Sequence, residues 1–166
     1  MFTENNPSRS IATAASMAAA SRVMKGYNDT LSTQCLQIAK EIWNGSKGEN
    51  AVGRVPLAVE LLITTRDTMY ANYLVSQTKN IASSIDYNGW LVARTMSLIS
   101  DKNYHDRITN AVKKLYAHIK IQGTKTPYGL PYEPSIWARA WGYKNLVTSN
   151  ISFTPTSLIF LQTSIC

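Results

Sequence analysis

Acid–base hydrolysis needs two carboxylic groups on either side of a cleft, one to give a proton and one to take it. The acids of this chain are Glu4, Asp29, Glu41, Glu49, Glu60, Asp67, Asp86, Asp101, Asp106 and Glu133. Most have simple structural explanations. Asp29, Asp67 and Asp101 stand where helix N-caps stand. Glu41 follows Lys40 on a polar face, and Asp106 reads as an early-helix charge. Glu60 lies inside the apolar run from Val59 to Ile63 and is expected to face outward. Glu133 is the one acid set among rings, between Tyr132 and Pro134. No pair of them has a spacing that assigns catalysis, so no catalytic residue is named.

Other chemistries find less support. His105 and His118 fall on one helical segment, too far apart to share a metal ion there, and no HExxH occurs. No GxSxG elbow, Ser-His-Asp arrangement or glycine-rich phosphate loop is present. Cys35 and Cys166 make neither a metal-ligand spacing nor a disulfide framework, and Cys35 reads as a small core residue. No metal and no cofactor are expected. The net charge of +7 comes from scattered residues, with only Lys113 and Lys114 adjacent, which reads as solvated surface rather than a nucleic-acid stripe. No apolar stretch reaches membrane-spanning length, and no signal-peptide pattern opens the chain.

The strongest local signal is the segment from Thr126 to Trp141, TPYGLPYEPSIWARAW. Its prolines and glycine brace a loop that presents Tyr128, Tyr132, Trp137 and Trp141. Aromatic faces suit the C–H faces of sugar rings. Composition alone favours the alternative, rings packed into a core, because each ring carries a large burial energy.

The elements that must position this loop are helices. An alanine-dense run from Ser10 to Met24 is expected to be helical and to let a neighbour approach closely, with Gly26 as its stop. Asn28 or Asp29 caps a second helix whose apolar face is Leu31, Cys35, Ile38 and Ile42, ending near Asn44-Gly45-Ser46. Pro56 opens a third helix, and Thr64-Thr65-Arg66-Asp67 is a turn. Met69, Tyr70, Tyr73, Leu74 and Ile81 mark a further face. Asn88-Gly89 is expected to break the chain before a helix containing Leu91, Val92, Thr95, Met96 and Ile99. The last stripe is Tyr104, Ile108, Val112, Leu115 and Ile119. Asp67 with Tyr70 and Asp101 with Tyr104 repeat one spacing, as expected where Asp caps a helix and Tyr packs one turn later. A long ordered loop is expected over residues 122–134. Beyond Lys144 no charged residue follows, and no helical period is evident.

Several of these segments together resemble glycoside hydrolases of family 9, the cellulase and endoglucanase family. Ser10-Ile11-Ala12-Thr13-Ala14-Ala15, Ala19-Ala20-Ser21-Arg22-Val23 and Gly26-Tyr27-Asn28 resemble its "STAA…AAR-hydrophobic…YDP" helix. Ala39-Lys40-Glu41-Ile42-Trp43 is similar to "AAKKAW". Residues Val59 to Tyr70 resemble "A-x-ELY-x-TTGD-x-x-Y". The Thr126–Trp141 segment resembles a Ser/Thr-Pro-Tyr/Phe-Gly-hydrophobic-Pro run leading into Ile-Trp-Gly-x-Gly-Trp, with Ala138-Arg139-Ala140 departing from that pattern. The resemblance spans about residues 8 to 143.

It implies an all-α fold, a partial (α/α)6 barrel of helical hairpins as in six-hairpin glycosidases. The organisation expected is a loose leader over 1–9, the partial barrel over 10–143 and an atypical uncharged tail over 144–166. The implied activity is inverting hydrolysis of β-1,4-glucans such as cellulose. The family's Asp pair, His-Arg motif and Glu acid are not found here, so this chain is expected to be an internal fragment, incomplete and inactive alone. The resemblance makes Tyr128, Tyr132, Trp137 and Trp141 cleft-lining residues for a β-glucan oligosaccharide or polysaccharide. It implies a secreted or periplasmic protein, with no nucleic-acid or membrane partner and with self-association through unburied helix faces. Two other readings stand beside it: a helical-repeat binding module, and a different α/α-toroid glycosidase.

Overall fold

The computed structural model describes residues 7–46 and 53–125. The described residues are all-α, with seven α-helices, one 3-10 turn and no strand. The helices are α1 (Pro7–Met24), α2 (Asp29–Gly45), α3 (Val55–Thr65), α4 (Thr68–Ser76), α5 (Thr78–Ser83), α6 (Ile85–Ala93) and α7 (Lys102–Lys125), with the 3-10 turn at Met96–Leu98. They fall into two compact units. The first holds the described residues up to Thr78 together with Leu98–Ser100. The second holds Lys79–Ser97 and the described residues from Asp101 onward.

In the first unit α1 packs along both α2 and α3, and α3 packs on α4. The contact face of α1 is Ile11, Ala14, Ala15, Ala18 and Ser21, all buried, at the spacing one helical face requires. The small side chains bring two neighbours close to one helix. Gly26 ends α1 at φ +83, a left-handed conformation that costs glycine little. Asn28 then caps α2, its Oδ1 accepting from the Leu31 N–H at 3.0 Å. The result is a helical hairpin.

The turn from α3 to α4 is equally specific. Arg66 adopts φ 59, ψ 19, and its N–H donates to the Leu62 carbonyl. Asp67 follows in extended conformation and accepts from the Met69 N–H at 2.9 Å. In the second unit Asp101 does the same for α7, accepting from the Tyr104 N–H at 2.6 Å. Buried Tyr104, Ile108, Val112 and Ile119 form the predicted stripe of α7, and α6 packs against α7.

Five expectations are corrected. α1 starts at Pro7 rather than Ser10, since proline is compatible with a first helical turn. The buried face of α2 is Ala39 and Trp43. Leu31 and Ile38 are exposed and Cys35 is half-buried, because α1 and α3 approach from the other side of the stripe. The face from Met69 to Ile81 is divided between α4 and α5 at Gln77, and Met69 is exposed. Asn88 and Gly89 lie buried inside α6 instead of breaking the chain. The Asn88 side-chain amide donates to Ser84 Oγ one turn back at 3.0 Å, so tertiary burial and a local bond outweigh weak propensity. Residues 122–125 complete α7 and are not loop.

Candidate functional site

The four predicted cleft residues, Tyr128, Tyr132, Trp137 and Trp141, lie outside the described residues, as do Glu133 and the tail. The described residues carry two polar clusters in the first unit and one groove in the second.

The first cluster joins α1 to α3. Arg22 forms an ion pair with Glu60 through Nη2 and Oε2. Its Nη1 donates to the Glu60 carbonyl at 3.1 Å and to Thr64 Oγ1. The Thr64 hydroxyl reaches the Ala18 carbonyl at 3.1 Å. Glu60 is therefore buried, at 7 % exposure, and not outward-facing. An acid among apolar neighbours needs a partner to stay charged, and Arg22 comes to it from a position 38 residues earlier. A carboxylate held in this way ties α1 to α3.

The second cluster centres on Trp43, near the end of α2. Tyr70 and Tyr73 meet its ring edge-on, with centroids 5.2 and 4.9 Å away. The Arg54 guanidinium lies 3.9 Å from the Trp43 centroid and donates to the Trp43 carbonyl at 2.9 Å. Arg54 Nε is buried without a hydrogen bond. Desolvation pushes the Tyr70 and Tyr73 hydroxyls above the usual tyrosine range, Asp67 adding to the effect at Tyr70 and Arg54 opposing it at Tyr73. Trp43 is thus a core residue on which α4 and the residue before α3 are anchored. The Arg54 contact had no sequence signal, because the partners stand 11 residues apart and nothing periodic links them.

In the second unit Tyr104 is buried, and desolvation pushes its pKa up to about 12. The Thr95 hydroxyl lies close enough to pull it back slightly, but Thr95 donates to the Val92 carbonyl at 2.8 Å. No hydrogen bond of good geometry reaches the tyrosine oxygen. His105 meets the Tyr104 ring edge-on, and His118 is exposed. Among the described residues no group of three or more His, Cys, Asp and Glu side chains could hold a metal ion. None of their helices is long and apolar enough to cross a membrane. An open groove of about 680 Å³ lies between α5 and α7, with Lys79, Arg107 and Lys114 among its lining residues.

No family model matches this sequence, no curated protein does, and no solved structure does. The resemblance therefore rests on its motif residues, and two of its segments meet in space. Arg22 belongs to the "AAR" segment, and Glu60 and Thr64 belong to the "ELY-x-TTGD" segment. Arg66 stands where that motif has glycine, and it is the one non-glycine residue with positive φ among the described residues. Asp67, the motif's acid, is the N-cap of α4.

Proposed function

We propose that this chain is part of a carbohydrate-active hydrolase domain resembling inverting endo-β-1,4-glucanases, built on helical hairpins of an (α/α)6 barrel. The observation that carries the reading is the turn between α3 and α4. A motif that has glycine before its aspartate predicts a left-handed residue followed by a helix cap, and Arg66 and Asp67 take those two conformations. The Arg22–Glu60 pair adds a contact between two of the resembling segments. Successive short-turn hairpins, α1 with α2 and α3 with α4, are the units from which such a barrel is made.

In this reading the chain contributes scaffold and a sugar-stacking segment, Tyr128, Tyr132, Trp137 and Trp141, and no catalytic carboxylate. Binding without turnover is the expected behaviour. The test is a fluorescence titration of the full chain with cellohexaose, with chitohexaose as comparator and with product analysis on the same samples. Cello-oligosaccharide should shift tryptophan emission, and Trp137→Ala should weaken binding about tenfold, the loss expected when one stacked ring is removed. Equal response to both sugars, or unchanged affinity in Trp137→Ala, would remove the support for this function.

A further inference from the structure

The groove of the second unit is built by two facing walls. One wall is α7, where Arg107, Asn110, Ala111, Lys114 and Leu115 line the groove. Their numbers run i, i+3, i+4, i+7 and i+8, a single helical face. The other wall comes from Lys79, Ala82 and Ser83 of α5 with Ile85 and Asp86 at the start of α6. Ala82, Ala111 and Leu115 supply half-buried apolar surface, and Ile85 is buried. Lys79, Arg107 and Lys114 supply three cations against the single carboxylate of Asp86, and none of the three forms an ion pair among the described residues. Unpaired like charges around a concavity raise the local concentration of anions.

The chemistry of the lining narrows the occupant. No aromatic ring lines the groove, so the base stacking that single-stranded nucleic acid depends on has no platform. The cations are exposed on long side chains, unlike the few converging donors of a desolvated small-anion pocket. What remains is an apolar strip flanked by positive charge and bounded by helices. That is the complement of a helix with one apolar face and acidic flanks.

We propose that this groove docks an acidic amphipathic helix of a partner protein, laid along the Arg107–Leu115 face of α7. The apolar strip gives the helix a surface to bury, and the three cations select acidic flanks and fix its register. The interaction is independent of any glucan binding.

The test uses the full chain and a fluorescein-labelled synthetic helix with leucines on one stripe and glutamates flanking it. A scrambled peptide of identical composition has no stripe, and polyuridylate serves as the competing polyanion. Anisotropy should report saturable binding of the striped peptide. Binding should be about tenfold weaker for the scrambled peptide, and about tenfold weaker in the Arg107→Glu, Lys114→Glu double variant, whose substitutions are on exposed positions. Polyuridylate should displace the striped peptide poorly. The proposal is overturned by absence of binding, by equal binding of striped and scrambled peptides, by efficient displacement with polyuridylate, or by unchanged affinity in a double variant of normal helicity.

Discussion

Arg66 shows how much one backbone conformation can say. At φ 59 a side chain with a β-carbon is strained, whereas glycine is not. Arg66→Gly relieves that strain but loosens the unfolded chain, so the gain is modest. It should stabilise the fold by about 0.5–1 kcal/mol in urea denaturation, and a clear loss of stability would show that the arginine side chain holds the turn. Tyr104 makes a prediction of opposite character. Burial raises its pKa to about 12 from the ordinary tyrosine value of 10.0, so the folded state keeps a proton that the unfolded state gives up first. The stabilisation is whole below pH 10, falls as pH rises, and is gone above 12. Burial of this one hydroxyl should therefore cost about 3 kcal/mol of stability across that window, with Tyr70 and Tyr73 adding in the same direction. Tyr104→Phe should flatten the alkaline limb while leaving neutral-pH stability nearly unchanged, because no well-formed hydrogen bond is lost. An alkaline limb equally steep in the variant would place the effect elsewhere.

The helices α2, α4 and α7 owe their starts to single polar side chains. Asn28, Asp67 and Asp101 each give an oxygen to a first-turn N–H, satisfying donors that a helix cannot satisfy itself. Asp101 starts the longest of the described helices, α7 at 24 residues, and favours the positive end of its dipole. Asp101→Ala should lower stability by about 1 kcal/mol and speed amide exchange over Lys102–His105, while Asp101→Asn should keep most of the cap. Exchange unchanged in the alanine variant would show that tertiary contact alone holds the helix start. Lys102 and Asp106 form an i,i+4 pair on the same helix, but both are solvent-exposed and contribute little.

Across the chain, burial is uneven. α3 is buried along most of its length, from Val55 to Leu62, whereas α2 exposes Leu31 and Ile38 on one stripe, and α6 exposes Tyr87 and Trp90 one turn apart. Grouped apolar exposure of this kind favours association. Sedimentation of the full chain should show a mass that rises with concentration, and Leu31→Glu with Ile38→Lys should shift it towards monomer. A concentration-independent monomer with a sharp reversible melt would contradict this. The net charge of +7 opposes self-association, so added salt should strengthen it.

Helix type, the caps at Asp67 and Asp101, the α7 stripe and the stop at Gly26 were legible in residue order, whereas the choice of Asn28 over Asp29 as the cap of α2 was left to the structure. Each depends on neighbours within one or two turns, where propensity and hydrogen bonding act locally. The clustering of the resembling motif residues was not legible, nor was the burial of Glu60. An acid in an apolar run reads as outward-facing until a partner is known, and Arg22 is brought to it only when α1 packs on α3. Trp43 with Arg54, the buried Asn88-Gly89 inside α6 and the half-open face of α2 have the same origin. Their environments are set by which helix lies against which, an arrangement that balances buried area over the whole chain and so leaves no trace in any single stretch of sequence.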